Sequence, residues 1–227
     1  MIMPTEVRGF ADASRVHTAV TARLEKRLLI WMARRTPAAI TPDHLTAFGL
    51  GSQICAGLAY AIAAWDPKWL GLVNLFLLFN WAGDSLDGTL ARVRNQQRPR
   101  YGFYVDHVCD TVGALALMAG LACSGYVHEA VAAGMLLGFY ALSIESYLAT
   151  YTLGRFHLSH GFFGPTEIRI LLVIGNTAAY VQPFAHFAGR QFLLFDVGGV
   201  IAIAGMAAMF LTAAFRHTTA LHREETR

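Results

Sequence analysis

The amino-acid sequence predicts an all-α integral membrane protein with six transmembrane helices, preceded by an interfacial amphipathic helix. Of its 227 residues, 55% are hydrophobic and only 15% are charged, and the mean hydropathy is +0.43. Soluble domains average about 25% charged residues, so this chain is short of polar surface. The apolar residues are also gathered into six runs, each near the roughly 20 residues that a helix needs to cross a bilayer.

Residues 1–40 are predicted to form an amphipathic juxtamembrane segment, with a helix from about Ala13 to Arg35. Valine and leucine side chains favour one side of this helix, and arginine and lysine side chains lie around them. Helices of this kind lie in the membrane interface, with their cations towards anionic headgroups. A soluble docking helix is the alternative. Thr41 is expected to cap the helix that follows, with Pro42 in its first turn.

Residues 41–215 hold the six apolar runs and form the predicted transmembrane domain, and residues 216–227 form a predicted cytoplasmic tail. The runs are Leu45–Ala64, Leu70–Ala91, Gly102–Tyr126, Ala130–Leu153, Glu167–Val181 and Leu193–Phe215. The fifth run is short and begins at a charged residue, so its bounds are the least defined.

The distribution of positive charge predicts the orientation in the membrane. With six spans, 16 of the 18 lysines and arginines fall on the side that carries both termini, and only Lys68 and Arg190 fall on the other. The positive-inside rule then places both termini in the cytoplasm. Three scattered cysteines form no CxxC pair, so neither a disulfide framework nor a zinc site is expected.

Four aspartates lie within 27 residues of this otherwise apolar chain. Asp84 and Asp87 are three residues apart, and Asp106 and Asp110 are four apart, so each pair shares one face of a helix. The predicted topology puts the first pair near the cytoplasmic end of the second span and the second pair in the first turns of the third. If those two helices are neighbours, all four carboxylates meet at one depth.

Divalent cations are the expected partners of this acidic cluster. An ionised aspartate inside a bilayer costs several kcal/mol unless it is paired or coordinates a metal. Ligands that are all oxygen favour Mg²⁺, with Mn²⁺ also possible. His107 follows Asp106 but is rotated roughly 100° from the carboxylate face, so we do not expect it to be a ligand.

Residues beside the aspartates suggest that the site handles phosphate. Gly88 and Gly102 would let a substrate approach the backbone closely. Arg92 can neutralise a phosphate through two parallel hydrogen bonds. Metals, carboxylates and an arginine around a phosphate suggest phosphoryl-type transfer. Helix caps, or a membrane cation or proton transporter that uses the aspartates as a relay, are the alternatives.

The pattern D-x-x-D-G-x-x-A-R, nine residues, then G-x-x-x-D-x-x-x-D resembles the signature of the CDP-alcohol phosphotransferases. These are integral membrane enzymes of phospholipid synthesis. All eight signature residues are present: Asp84, Asp87, Gly88, Ala91, Arg92, Gly102, Asp106 and Asp110. The six-span plan and the interfacial helix also match, so the resemblance covers nearly the whole chain. It implies Mg²⁺-dependent transfer from a CDP-linked donor to an acceptor hydroxyl, with release of CMP.

The resemblance also implies a role for each signature residue. Asp84, Asp87 and Asp106 would hold two divalent ions that bind the donor's pyrophosphate, and Asp110 would contact metal and act as general base. The residues expected to bind the CDP nucleotide or pyrophosphate are Thr46, Gly88, Ala91, Arg92 and Gly102. Many relatives carry an asparagine where this sequence has Asp43, which could contact metal or nucleotide or simply cap the helix.

Two shorter resemblances bear on the donor. Residues 106–110 resemble the D-H-x-C-D form of choline/ethanolamine phosphotransferases, and residues 150–156 with 165–169 resemble the T-Y-x-x-G and T-E-I-Q stretches of those enzymes. They favour a CDP-choline or CDP-ethanolamine type of donor with a lipid acceptor. The alternative is a CDP-diacylglycerol donor with a small polar alcohol or alcohol phosphate as acceptor.

Four charged residues are candidates for the acceptor or headgroup site: Glu145, Arg155, Glu167 and Arg169. Acids framed by tyrosines would suit an ammonium headgroup through charge and cation–π attraction. The arginines would suit the phosphate of a phosphorylated acceptor, or they could contact lipid headgroups. Glu145 could equally pair with Arg155 or Arg169 to stabilise the fold, and Glu167 could be only a first-turn acid.

The expected setting follows from these assignments. We expect a bacterial cytoplasmic (inner) membrane, with the active site facing the cytoplasm and membrane lipids as partners. Family members commonly form homodimers, so a homodimer is expected here. No nucleic-acid partner is expected.

Overall fold

The computed structural model describes residues 22–153, 165–187 and 189–226. Within these residues the chain forms seven helices and one two-stranded hairpin. In chain order they are α1 (Ala22–Arg35), α2 (Pro42–Ala63), α3 (Trp69–Val93), α4 (Pro99–Cys123), α5 (Glu129–Leu153), α6 (Pro165–Val181), β1 (Phe184–Phe187), β2 (Arg190–Leu193) and α7 (Leu194–Glu225).

Each of the six predicted apolar runs overlaps one of the helices α2 to α7, with bounds that differ by a few residues or, at the end of α7, by ten. Four of them, α2, α4, α5 and α7, are long and apolar enough to cross a membrane. Helix α3 carries Asp84, Asp87 and Arg92 near its end, and α6 has only 17 residues. The mostly helical fold with four such helices is consistent with an all-α integral membrane protein, and the count of six spans stays a prediction.

The segment between α6 and α7 forms a hairpin that the sequence analysis did not predict. Strands β1 and β2 pair antiparallel, with Phe184 opposite Leu193 and Phe187 opposite Arg190. Gly189, with φ of 74°, lies between the strands. Strands of four residues carry too little alternation to be distinguished from a loop in an apolar sequence. Helix α7 then continues to Glu225, so the predicted boundary after residue 215 falls inside a helix.

Helix α2 begins as the sequence predicts. The Thr41 hydroxyl accepts a hydrogen bond from the His44 amide at 3.3 Å, and the Thr41 amide donates to His44 Nδ1 at 3.3 Å. This reciprocal capping box satisfies two backbone groups at the start of the helix. Pro42 occupies the first turn, where its missing N–H costs nothing.

Helix α2 is the centre of the helix packing, because α3 and α4 both pack closely against it. Glycines make these approaches possible. A Cβ on Gly83 of α3 would lie 2.7 Å from the Cα of Gly49, and a Cβ on Gly120 of α4 would lie 1.9 Å from the carbonyl oxygen of Gly57. Both crossings therefore bring backbone against backbone, as small residues allow in membrane helix pairs.

A buried polar network joins α2, α3 and α6 away from the acidic cluster. The Tyr60 hydroxyl donates to Asn176 Oδ1 at 2.7 Å, and Asn176 Nδ2 donates to Asn74 Oδ1 at 2.7 Å. Asn176 and Tyr60 are fully buried. Because each of these groups has a partner, the network fixes the position of α6 without leaving a buried polar atom unsatisfied.

Helix α1 lies along α3, and its described part overlaps the predicted amphipathic helix. Leu29 and Ala33 are buried against Leu86 and Leu90. Residues 13–21 of the predicted helix lie outside the described residues. Part of the apolar side of α1 is therefore used for packing against the protein, while Leu28 and Trp31 are exposed.

Arg94, just after α3, holds the loop that joins α1 to α2. Its guanidinium donates to the carbonyl oxygens of Ile40 at 2.6 Å, Thr36 at 2.8 Å and Pro37 at 2.9 Å. These bonds satisfy three backbone acceptors with one cation, and they fix the position from which α2 begins.

The glycine crossings predict a clear effect on stability. Gly57→Ala would bring its Cβ within 2.2 Å of the Ala116 carbonyl oxygen on α4. We expect a loss of about 1–3 kcal/mol of stability from overpacking, measured as a lower midpoint of thermal unfolding in detergent. Gly51→Ala on the same helix is the control, because a Cβ there meets nothing within 4 Å. Equal midpoints for the two variants would contradict the packing described here.

Candidate active site

Three carboxylates converge at one place between α3 and α4. Asp84 of α3 and Asp106 and Asp110 of α4 each offer an oxygen, and these oxygens all lie within 4.8 Å of one another. The three side chains are half-buried. The i and i+4 spacing on α4 therefore does what the sequence predicts, since it turns both carboxylates towards Asp84.

Helix α2 supplies one wall of the cleft in which these carboxylates lie. The lining residues are Thr46, Gly49, Leu50, Gln53, Asn80, Asp84, Asp87, Asp106, Cys109 and Asp110. Helices α3 and α4 pack on α2 more than on each other. Helices α3 and α4 are thus held at their separation by α2, and their carboxylates meet in the space between them.

Asp87 lies in the same cleft but is not one of the three converging carboxylates. Its Oδ2 accepts a hydrogen bond from the Thr46 hydroxyl at 2.6 Å, and its other oxygen contacts the amide of Gly88. Thr46, predicted to bind nucleotide, is therefore placed beside a predicted metal ligand. Their contact links the first turns of α2 to the acidic cluster.

Arg169 reaches the cluster from α6. Its Nη2 donates to Asp84 Oδ2 at 2.7 Å, and its Nε donates to Asn80 Oδ1 at 2.8 Å. Asn80 also donates to the carbonyl oxygen of Gly49 at 3.0 Å and to Gln53 Oε1 at 3.3 Å. The sequence analysis assigned Arg169 to the acceptor, and the structure places it at a carboxylate of the acidic cluster.

Asn80, Gln53 and Cys109 line the cleft but were not singled out from the sequence. Asn80 lies four residues before Asp84, so the two share a helix face. An amide inside an apolar run, one turn from a carboxylate, is the signal that would have identified it. Gln53 and Cys109 carry no comparable signal, because their role depends on how α2 and α4 cross.

The remaining predicted nucleotide residues lie outside the lining of this cleft. Arg92 is exposed, and its Nη2 donates to the Thr89 hydroxyl at 3.0 Å. Gly88 and Ala91 are partly exposed on the last turns of α3, and a Cβ on Gly102 would meet nothing within 4 Å. The surface next to the acidic cluster is thus open where a nucleotide is predicted to bind.

Glu145 and Glu167 have different surroundings from Arg169. Glu145 of α5 is only 8% exposed, and its Oε1 lies 2.5 Å from Nδ1 of His217 on α7. His217 is a partner that the sequence analysis did not name. Glu167 is half-buried in the first turn of α6. Arg155 lies outside the described residues.

Asp43 forms an ion pair with Arg98, which precedes α4. The carboxylate raises the pKa of the Arg98 guanidinium, mainly through this hydrogen bond. Arg98 also lies over the ring of Tyr101, 4.2 Å from its centroid. Asp43 therefore links the start of α2 to the start of α4, and it is not one of the three converging carboxylates.

The acidic cluster fits a hard divalent cation. All its donors are carboxylate oxygens, which Mg²⁺ and Mn²⁺ prefer over nitrogen or sulfur. Two ligand oxygens on one octahedral Mg²⁺ lie at most about 4.2 Å apart, since each bond is about 2.1 Å. The three oxygens lie within 4.8 Å of one another, a bound slightly wider than that limit. His107 contacts the Phe103 carbonyl and packs on Tyr147, away from this group of ligands.

The family comparison matches most of the chain. The family described as CDP-alcohol phosphatidyltransferase matches residues 39–215. The sequence is 30% identical to the CDP-diacylglycerol–serine O-phosphatidyltransferase of Encephalitozoon cuniculi over 176 residues, which is 72% of this chain and 44% of that protein. It is 35% identical to the ceramide phosphoethanolamine synthase of Drosophila melanogaster over 88 residues, which is 36% of this chain and 22% of that protein.

A solved structure shares the fold. The crystal structure of the Mycobacterium tuberculosis phosphatidylinositol phosphate synthase with CDP-DAG bound superposes with a TM-score of 0.61. The match covers 86% of this chain and 94% of that one, at 19% sequence identity. This chain spans less than half the length of the two curated relatives above.

The convergence of the carboxylates predicts divalent-ion binding that each of them supports. Asp106→Asn keeps the side-chain shape but removes a charged ligand, so we expect at least about tenfold weaker Mn²⁺ binding. Binding is measured by electron paramagnetic resonance of free Mn²⁺ without nucleotide. Asp66→Asn, in the loop between α2 and α3, is the control and should bind as the unaltered protein does. An unchanged affinity in Asp106→Asn would contradict this assignment.

Proposed function

The chain belongs to the CDP-alcohol phosphatidyltransferase family, and from this membership we propose that it transfers a substituted phosphate group from a CDP-linked donor to an acceptor hydroxyl. The second product is CMP, and the reaction belongs to phospholipid biosynthesis. The observation that carries the proposal is that oxygens of Asp84, Asp106 and Asp110 lie within 4.8 Å of one another. These three aspartates are also part of the sequence signature of the family.

The four aspartates of the cleft are the proposed ligands of two Mg²⁺ ions, with Mn²⁺ as a possible substitute. When bound, these ions neutralise the negative charge of the donor's pyrophosphate. Thr46 holds Asp87 in place through its hydroxyl. Arg169 holds Asp84, Asn80 holds Arg169, and Asn80 is itself held by the backbone of α2. The ligand carboxylates are thus oriented by neighbouring side chains before any substrate binds.

The reaction is a single displacement at phosphorus. Asp110 takes the proton of the acceptor hydroxyl, and the hydroxyl oxygen attacks the phosphorus distal to cytidine. The bond from that phosphorus to the bridging oxygen breaks, and its electron pair leaves with CMP. A phosphodiester forms, and the proton on Asp110 passes to solvent. Arg92 and the open surface at Gly88, Ala91 and Gly102 are the proposed contacts of the nucleotide and its phosphates.

The favoured donor is CDP-choline or CDP-ethanolamine, with a lipid hydroxyl as acceptor. The D-H-x-C-D form of residues 106–110 supports it, and so does the similarity to a protein named as a ceramide phosphoethanolamine synthase. In this reading Glu145 and Glu167 would attract the ammonium group. Glu145 is held by His217 on α7, and Glu167 lies in the first turn of α6.

A CDP-diacylglycerol donor with a small polar alcohol or alcohol phosphate is the second candidate. The relative that matches 72% of this chain is named as a CDP-diacylglycerol–serine O-phosphatidyltransferase. Arg169 is the side chain that would favour a phosphorylated acceptor, because it is a cation at the edge of the cleft. Arg155 has the same proposed role.

The proposed membrane arrangement has six spans, α2 to α7, with residues 41–215 as the catalytic domain. Helix α6 is about 26 Å long at 1.5 Å per residue, slightly short of the roughly 30 Å hydrocarbon core. The asymmetry of Lys and Arg supports cytoplasmic termini and an active site that faces the cytoplasm. A bacterial inner membrane and a homodimer complete the proposal.

The role proposed for Asp110 predicts a specific loss of turnover. Asp110→Asn removes the base, so we expect CMP release with Mg²⁺ to fall by at least about a hundredfold. CMP is measured by chromatography after incubation with each CDP-linked donor in turn. Turnover close to that of the unaltered protein in Asp110→Asn would exclude this residue as the base. A protein that transports ions and releases no CMP from any donor would contradict the whole proposal.

The donor branch predicts which radiolabelled substrate loses its CMP. Labelled CDP-choline, CDP-ethanolamine and CDP-diacylglycerol are offered separately, and the lipid products are separated by chromatography. We expect label from a CDP-amino alcohol to enter a lipid when diacylglycerol or ceramide is supplied. Transfer only from CDP-diacylglycerol would overturn this choice in favour of the second candidate.

A further inference from the structure

Glu25 of α1 joins two helices of the active site through a single carboxylate oxygen. Its Oε1 accepts a hydrogen bond from Trp81 Nε1 on α3 at 2.9 Å and another from the Thr166 hydroxyl on α6 at 3.2 Å. Glu25 is half-buried. A carboxylate on the amphipathic helix thus contacts both helices that supply the Asp84–Arg169 pair.

Each partner of Glu25 lies one helical turn from a member of the Asp84–Arg169 pair. Trp81 precedes Asp84 by three residues on α3, and Thr166 precedes Arg169 by three on α6. Residues three apart lie on neighbouring positions of one helix face. Arg169 then contacts Asp84 at 2.7 Å. Five residues are therefore linked in a closed circuit: Glu25, Trp81, Asp84, Arg169 and Thr166. Three of the links are side-chain contacts, and the other two run along one turn of α3 and one turn of α6.

The packing of α1 makes this circuit rigid. Leu29 is 8% exposed and Ala33 2% exposed, and they lie against Leu86 and Leu90 on α3. These contacts and the Glu25–Trp81 bond attach α1 to α3 over several turns. The bond to Thr166 reaches from this attached helix to α6, so movement of the start of α6 away from α3 would have to break it.

We propose that Glu25 is a positioning residue that holds the start of α6 against α3, so that Arg169 keeps Asp84 oriented to bind a divalent cation. The part of this inference that concerns turnover rests on the proposed function. Side chains that orient a metal ligand affect metal affinity about 10- to 100-fold when removed. Glu25 acts one contact further away than Arg169, so a smaller effect is expected.

Mn²⁺ affinity without nucleotide tests the proposal. We expect Glu25→Ala to raise the dissociation constant for Mn²⁺ about three- to tenfold. This is less than the effect of removing a side chain that itself contacts a metal ligand. Glu25→Gln keeps an acceptor oxygen and should stay within about twofold of the unaltered protein. Lys26→Ala, the exposed neighbour on α1, is the matched control and should also stay unchanged. An unaltered affinity in Glu25→Ala, or an equal loss in Glu25→Gln, would overturn the proposal.

Thr166→Val gives a second test that removes only one hydroxyl and so decides the matter if Glu25→Ala fails to fold. It should also weaken Mn²⁺ binding, and combining it with Glu25→Ala should add no loss beyond that of Glu25→Ala alone, because both remove the same contact. Unchanged affinity in Thr166→Val would overturn the proposal.

In steady state, Glu25→Ala should raise the Mg²⁺ concentration for half-maximal rate and leave kcat at saturating Mg²⁺ within about twofold. Absence of CMP release by the unaltered protein would contradict the proposed function alone, because Mn²⁺ binding is measured without substrate.

Discussion

The concentration of negative charge inside an apolar helical fold is the constraint on which the rest of the structure depends. Three carboxylates lie within 4.8 Å of one another. A charged aspartate in the hydrocarbon region of a bilayer is costly, by about 2.5–3.5 kcal/mol at the bilayer centre on insertion scales. Cations must therefore be supplied close by. Arg169 provides one positive charge at Asp84, and divalent ions supply the rest in the proposed function. A fold that positions these groups loosely would leave the charges uncompensated.

Helix α2 solves the geometric part of this problem. Its backbone approaches α3 where Gly49 meets Gly83, and it approaches α4 where Gly57 meets Gly120. The first crossing lies beside Asp84, and Asn80 one turn earlier bonds to the Gly49 carbonyl. Contacts further out secure the ends of this arrangement, since Arg94 fixes the loop before α2 and Asp43 pairs with Arg98 before α4.

Patterns local in sequence predicted more than contacts between distant residues did. The apolar runs predicted the positions of α2 to α7, Thr41 and Pro42 predicted the start of α2, and the aspartate spacing predicted which carboxylates share a face. The pairing of Arg169 with Asp84 and that of Glu145 with His217 were not predicted. Each partner lies at least 70 residues away in the chain, and the sequence alone does not specify which helix faces touch. The hairpin was missed because its strands are too short to show a period.

The most direct test of the acidic cluster is a crystal structure of the protein grown with Mn²⁺, with anomalous diffraction recorded near the manganese edge. Our account predicts an anomalous peak between α3 and α4, about 2.1–2.2 Å from carboxylate oxygens of Asp84, Asp106 and Asp110. In the same map Arg169 should stay within hydrogen-bonding reach of Asp84 or Asn80. A peak at other residues, or none at a Mn²⁺ concentration that saturates binding in solution, would contradict the account.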